Sequence, residues 1–203
     1  MSGFDSATLD FYASEAPVYA ASGPGGIARH LPVFIERLKP GARILELGCG
    51  GGRDAEYLIA QGFDVDATDG TAEIAAQAAQ RLNRPVRVMR FDELSSIEQY
   101  DAVVASASLL HVPRPDLPQI VRQIWQALKP GGWHLASYKG GGEEGCDRFG
   151  RYFNYLDAAE IEAIYANAGH WEKVKTISGM GGGYNGVQGP WHSISLRKAP
   201  TEA

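Results

Sequence analysis

The chain has 203 residues, 44% of them apolar, and a formal net charge of −5. That length suits one domain with a full core, and the acidic balance argues against reliance on non-specific binding to nucleic acid or an acidic membrane. No apolar run reaches the length of about 18 residues needed to span a bilayer, and Met1-Ser-Gly-Phe-Asp5 lacks the basic segment and apolar core of a secretory signal.

Residues 8–19 read as a short amphipathic helix stopped near Pro17, and Pro24-Gly-Gly26 reads as a loop. Ile27, Leu31, Phe34, Ile35 and Leu38 recur at helical spacing. Pro32 falls in the first turn of that helix or at a kink, and Lys39-Pro-Gly41 ends it. Strands and helices then alternate. A strand over 43–47 leads to a helix over 54–61 closed by Gly62. A strand over 64–68 leads to a helix over 72–82, and strands follow over 86–90 and 100–106.

Asp116 caps the next helix, on which Leu117, Ile120, Val121, Ile124 and Leu128 share a face. Lys129-Pro-Gly-Gly132 stops it before a strand over 133–138. Asp157-Ala-Ala-Glu160 has the spacing of a capping box, and Gly169 closes the helix that follows. Residues 171–177 and 191–197 read as two last strands with no helix between them, hence antiparallel, joined by a glycine-rich loop that holds Tyr184 and Asn185. Trp125 and Trp133 read as core residues. No repeat or low-complexity linker breaks the chain, so residues 1–203 are expected to form one α/β domain with a mainly parallel sheet and helices on both faces.

In such sheets ligands bind beyond the C-terminal ends of the strands, where the strand order reverses. Residues 46–52, 69–71, 91–93 and 106–111 all fall at such ends. The first of these is the most telling: Arg43-Ile-Leu-Glu-Leu-Gly-Cys-Gly-Gly-Gly-Arg-Asp54 runs from an apolar strand through a glycine turn into a helix. Gly48, Gly50 and Gly52 let the backbone approach a ligand and adopt positive φ, and the helix start offers free N–H groups. The same pattern serves a tight turn with no ligand, so the glycines alone are weak. A dinucleotide fingerprint would place its third glycine where Arg53 stands, and no Gly-Lys-Ser/Thr of a phosphate loop follows. Glu46 is ill placed beside a pyrophosphate and suits a ligand that carries an ammonium group.

The segment Glu46-Leu-Gly-Cys-Gly-Gly-Gly52 resembles the first motif of class I S-adenosylmethionine-dependent methyltransferases. Asp69, about 20 residues on, matches the acid that binds ribose in that family. Phe91-Asp92 matches its adenine-contacting position, residues 101–111 its fourth-strand motif, and Leu128-Lys-Pro-Gly-Gly132 its turn before strand five. The resemblance covers roughly residues 27–139, with a family-like order of elements to the end of the chain. It implies a Rossmann-like three-layer sandwich with a mostly parallel seven-stranded sheet, the last strand antiparallel.

The resemblance also implies roles. The backbone of Gly48, Cys49 and Gly50 would contact the methionyl part of S-adenosylmethionine, with Glu46 beside its ammonium group. Asp69 would accept from both ribose hydroxyls. Gly70 and Thr71 would border the adenine, although Thr71 also reads as a helix N-cap. Asp92 would accept from the adenine amino group, with Phe91 and Glu93 adjoining the ring. Ser106 and Ala107 would line the site, and Arg53 and Asp54 would belong to the first turn of the helix. Residues 1–26 would act as a lid, with Tyr19 over the cofactor and Tyr12 packing the helix.

His111 is a candidate general base, or a structural residue of the turn before Pro113. Arg148 and Tyr152, in the glycine-rich loop 140–153, are candidates for holding the acceptor, with Arg151 an equal alternative to Arg148. The expected activity is methyl transfer from S-adenosylmethionine to a small molecule, giving S-adenosylhomocysteine, without a metal. The alternatives are a metalloid or thiol acceptor and a non-catalytic cofactor-binding protein. No Asn/Asp-Pro-Pro-Tyr follows strand four, where Ser106-Ala-Ser-Leu109 stands, and this argues against nucleic-acid bases as acceptors. Cys49 and Cys146, the two cysteines, show no metal spacing and read as free thiols in a reducing compartment, the cytoplasm.

Overall fold

From Arg43 onward the chain alternates strand and helix, as the apolar runs and glycine stops dictate. A computed structural model describes residues 3–22, 26–184 and 186–200, without the side chain of Lys173. The expected loop at 24–26 lies outside the described residues except for Gly26, and Asn185 lies outside them too.

The helices are α1 (Ser6–Ser14), α2 (Ala16–Ala21), α3 (Leu31–Ile35), α4 (Arg53–Ala60), α5 (Ala72–Leu82), α6 (Leu117–Ala127) and α7 (Ala158–Ala168). The strands are β1 (Arg43–Leu47), β2 (Asp64–Asp69), β3 (Arg87–Val88), β4 (Tyr100–Ala105), β5 (Leu128–Lys139), β6 (Gly145–Cys146), β7 (Tyr152–Phe153), β8 (Trp171–Gly182) and β9 (Gln188–Lys198). Seven of them form one sheet in the order β3-β2-β1-β4-β5-β9-β8. Pairs from β3 to β5 are parallel, and β9 runs antiparallel to both β5 and β8. The order reverses between β1 and β4, which places a crevice beyond their C-terminal ends.

Alternation of side chains along each strand splits the apolar residues into two layers. Ile44, Ala102, Val104 and Leu135 pack with Leu31, Phe34, Ala55, Leu58 and Ala78 on one face. Leu45, Leu47, Val103, Ala105, Ala136, Ile194 and Leu196 pack with Ile120, Val121, Ile124, Ile161 and Tyr165 on the other. The second layer contains a polar chain. His134 Nδ1 lies 2.8 Å from the Val103 carbonyl and Nε2 lies 2.9 Å from the Tyr165 hydroxyl, which is 2.9 Å from that of Tyr138. A carbonyl only accepts, so Nδ1 carries the proton, Tyr165 donates to Nε2, and Tyr138 donates to Tyr165. Every group is satisfied, and burial pushes the His134 pKa down to about 4.

Several element boundaries differ from those expected. The helix expected over 8–19 is two helices, because Pro17 cannot donate to a preceding turn and instead occupies the first turn of α2. The helix around Pro32 is only the short α3. The third strand shrinks to two residues, whereas the fifth begins at Leu128 through a register shift against β4. Most of the expected loop 179–189 is ladder, since β8 and β9 pair from Trp171↔Lys198 as far as Gly182↔Gln188. Asp116 occupies an N-cap position without a side-chain cap bond, whereas the Asp157–Glu160 box is complete, with both bonds at 2.8 Å. Trp125 is not a core residue. Its half-buried ring lies flat against Gly169, where a Cβ would stand 2.4 Å from Cδ1, and under the ammonium of Lys198.

Candidate active site

The turn after β1 is built by three glycines at positive φ: Gly48 (+71°), Gly50 (+54°) and Gly52 (+77°). At Gly48 a Cβ would also stand 2.6 Å from that of Ser108, so both conformation and space demand glycine. The Cys49 N–H donates to the Thr68 carbonyl at 2.8 Å, and the Gly50 N–H donates to Asp69 Oδ2 at 3.0 Å. These bonds tie the turn to the end of β2. Asp69 Oδ1 accepts from the Thr71 N–H at 3.1 Å and from its hydroxyl at 3.3 Å. Thr71 holds the N-cap position of α5 but spends its hydroxyl on Asp69.

Three carboxylates gather here. Glu46 is buried at the end of β1, and its Oε2 has no hydrogen-bond partner among the described residues. Asp54 and Asp69 are half-buried near it. Asp54 accepts from the Ala28 N–H at 2.9 Å and from the Ser106 hydroxyl, so it belongs to this cluster as well as to the first turn of α4. All three pKa values are raised, first by loss of water and, at Glu46, also by the charges of Asp54 and Asp69. Crowded acids cut off from water are costly unless a cation joins them. Among the described residues no cluster of His, Cys, Asp and Glu has a metal-binding arrangement. An organic cation with hydroxyls to donate fits the free Oε2 of Glu46 and the remaining lone pairs of Asp69, and S-adenosylmethionine has both features. The Cys49 thiol is buried, and loss of water pushes its pKa up.

Other residues singled out in the sequence converge on the same rim. Gly70 lies under Leu9 of α1, with 3.2 Å from a Cβ position to Leu9 Cδ2. The Phe91 ring reaches the Gly48 turn. Asp92 accepts from Arg90 Nε at 3.1 Å and packs against Gly3, and Glu93 caps its own turn by accepting from the Arg90 N–H at 2.8 Å. Ala107 has φ +51° and donates its N–H to Ser137 Oγ at 2.8 Å. Ser106 and Ala107 line a cavity of about 390 Å³ together with residues 27–30, Ser137, Trp191 and Ser193.

The N-terminal helices cover this rim. Asp5 caps α1 through the Thr8 N–H at 2.8 Å. The Thr8 hydroxyl accepts from the Tyr152 N–H at 2.8 Å, and Arg53 donates to the Ser22 carbonyl. Tyr19 lies beside Gly50 and meets Tyr12 edge-on at 4.9 Å. Tyr12, expected only to pack its helix, places its hydroxyl 2.9 Å from His111 Nε2. His111 Nδ1 lies 2.6 Å from the Tyr152 carbonyl and so carries the proton. Nε2 is therefore the acceptor and the Tyr12 phenol its donor. Loss of water pushes the His111 pKa down to about 4, keeping the ring neutral.

Of the two arginines weighed for the acceptor, Arg148 is exposed, with its guanidinium over the Phe149 ring. Arg151 is the interior one. Its Nη2 pairs with Asp147 Oδ2 at 2.6 Å, the two side chains being 3% and 5% exposed, and its Nη1 donates to the Tyr12 hydroxyl at 3.2 Å. The rings of Phe11, Tyr12, Phe149, Phe153 and Tyr184 surround it at 5.0 to 5.8 Å. Tyr152 enters the site through its backbone, while its phenol donates to Glu144 and accepts from the Arg114 N–H. The segment 140–153 is thus not plain loop. β6 and β7 pair within it, and the Asp147–Arg151 spacing closes the turn between them. Sequence reasoning missed Asp147, whose i,i+4 spacing to Arg151 was the available signal.

A family described as "Methyltransferase domain" matches residues 44–132. The ubiquinone biosynthesis O-methyltransferase of Xanthomonas axonopodis pv. citri (strain 306) is 29% identical over 99% of this chain and 92% of its own length. The trans-aconitate 2-methyltransferase of Variovorax paradoxus (strain S110) is 31% identical over 77% of this chain and 62% of its own length. The fold is shared with the Burkholderia thailandensis 1,6-didemethyltoxoflavin-N1-methyltransferase, solved with 1,6-didemethyltoxoflavin and S-adenosylhomocysteine bound. The TM-score is 0.75 and the identity 20%, over 96% of this chain and 88% of that one.

Proposed function

The chain is a class I S-adenosylmethionine-dependent methyltransferase, and from that premise we propose that it methylates a small-molecule acceptor. The observation that carries the reading is the carboxylate cluster Glu46, Asp54 and Asp69 around a glycine turn, with one buried oxygen left unpaired. A closed rim and a cavity of about 390 Å³ support a small acceptor. The two cysteines, both unpaired, support a reducing compartment, the cytoplasm. Among the described residues no helix is long and apolar enough to cross a membrane.

When bound, S-adenosylmethionine supplies a methyl group activated by a cationic sulfur. In this reading Asp69 accepts from the ribose hydroxyls, and Glu46 faces the ammonium group beside the backbone of Gly48, Cys49 and Gly50. Gly70, Thr71, Phe91, Asp92 and Glu93 border the adenine, and Ser106 and Ala107 border the reacting end. The described N-terminal residues 3–22 act as a lid, with Tyr19 and Tyr12 excluding water. Tyr12 passes its phenol proton to His111 Nε2 as it takes the proton released by the acceptor, and His111, with its pKa near 4, relays that proton onward rather than keeping it. Holding the nucleophile in line supplies much of the rate.

The test is calorimetric titration of wild type and Asp69→Ala with S-adenosylmethionine and S-adenosylhomocysteine, followed by an acceptor screen read as S-adenosylhomocysteine formed. Loss of charge-assisted bonds to Asp69 should cost about 1.5–3 kcal/mol each. Folded, cofactor-free wild type that binds neither compound would overturn the assignment.

A further inference from the structure

Lys139 ends β5 as a residue 7% exposed, and its ammonium, which still reaches solvent, makes no hydrogen bond and no ion pair among the described residues. A lysine whose stem is covered and whose tip alone reaches water is open to an incoming anion when no carboxylate of the chain pairs it. Its neighbours are two aromatic rings, Phe153 at 5.4 Å and Tyr155 at 5.9 Å, themselves stacked at 5.3 Å. Asp147 is near enough to act on it electrostatically but is already bound to Arg151 at 2.6 Å, and Arg151 repels it. Burial and that repulsion pull its pKa down.

The position of this cation suits a role in recognition. Lys139 follows Ser137 on the same face of β5 and lies across the ladder from Trp191, and both of those residues line the cavity beside Ser106 and Ala107. Phe153 also touches the His111 ring, at 4.5 Å, so one phenyl group separates Lys139 from the Tyr12–His111 pair. The Trp191 indole N–H is buried without a partner. The rim is divided by charge: uncompensated acids lie at the ends of β1 and β2, and an uncompensated cation lies at the end of β5.

We propose that Lys139 is the recognition cation for the methyl acceptor, which carries a carboxylate on a small planar body that lies against Phe153. This rests on the methyltransferase reading and narrows the class of acceptor. The ammonium gives the carboxylate a charge-assisted hydrogen bond, and the unpaired indole N–H adds a second donor on the same side.

The test measures binding to protein saturated with S-adenosylhomocysteine, with benzoate as the planar carboxylate and benzamide as its uncharged counterpart. Wild type should bind benzoate saturably and at least about tenfold tighter than benzamide. Lys139→Met should lose that preference while binding S-adenosylhomocysteine as wild type does, and Lys139→Arg should keep most of it. Equal binding of benzoate and benzamide, unchanged benzoate affinity in Lys139→Met, or no saturable benzoate binding up to tens of millimolar would each overturn the proposal. Failure of wild type to bind S-adenosylhomocysteine would instead strike at the methyltransferase assignment. The comparison of the two ligands on wild type stands even if a variant fails to fold.

Discussion

The Tyr12 hydroxyl donates to His111 Nε2 at 2.9 Å, joining the first helix of the chain to the turn after the fourth strand. The direction of this bond is set on the far side of the ring, where Nδ1 is held by the Tyr152 carbonyl at 2.6 Å. Tyr12 is at once part of the cover and the only described hydroxyl on the imidazole. Tyr12→Phe leaves Nε2 without a donor, and a buried acceptor left unpaired costs about 1–3 kcal/mol. Urea unfolding should show a loss in that range, and kcat should fall with little change in S-adenosylhomocysteine affinity. A variant with wild-type kcat would remove Tyr12 and His111 from the proton path.

Glu46 stores a conflict between stability and binding. Its pKa lies well above the usual carboxylate range because it is buried beside Asp54 and Asp69. Such a group binds protons more readily folded than unfolded, so ionising it at neutral pH costs stability. Glu46→Gln removes the charge and keeps the shape. The cofactor-free variant should melt higher than wild type, and S-adenosylmethionine should bind about tenfold or more weakly, the weight of one charge-assisted bond. A lower melting temperature together with unchanged affinity would contradict both parts.

His134 predicts a pH effect of the opposite sign. Its folded pKa of about 4 lies below the ordinary 6.5, so the unfolded chain takes up the proton first as pH falls. Its contribution is therefore complete above pH 6.5 and is lost between 6.5 and about 4, a change of roughly 3 kcal/mol. An NMR titration should find the ring neutral at pH 5, protonated at Nδ1 and not at Nε2. An ordinary midpoint near 6.5 would show that the chain through Tyr165 and Tyr138 does not hold it.

Arg151 and Asp147 form a desolvated pair inside five aromatic rings. Arg151→Met alone strands the carboxylate and should cost about 3–5 kcal/mol, whereas the double variant with Asp147→Asn should recover much of that loss. Arg148→Ala, at an exposed position, should stay within about 0.5 kcal/mol of wild type. Equal losses at the two arginines would contradict this division of roles.

Deleting residues 1–20 tests the lid. The segment contributes Leu9 over Gly70, Tyr19 beside Gly50 and Tyr12 on His111, so its loss should weaken S-adenosylmethionine binding measured calorimetrically. Unchanged affinity in a folded truncation would confine these helices to packing.

What the sequence determined by itself was local. Glycine at 48, 50 and 52, the capping box at Asp157 and the apolar face of α6 are short-range demands of φ, hydrogen bonding and period. They are legible because neighbours in sequence impose them. The order of such elements was enough to set residues 46–52, 69–71, 91–93 and 106–111 at strand ends on one rim. The tertiary structure decided which partners arrive from far away. Tyr12 reaches His111 across ninety-nine residues, and Asp54 turns from a first-turn residue into a member of an acid cluster because Glu46 and Ser106 converge on it. Arg151 faces inward while Arg148 faces outward, although three positions separate them, because Asp147 and a ring of aromatics close over one and not the other. Lys139 gave no sign in the sequence. A charge at the end of a strand is ordinary until the fold sets it beside Phe153 and Tyr155 and leaves its ammonium without an anion, and only long-range packing sets which charges go unpaired.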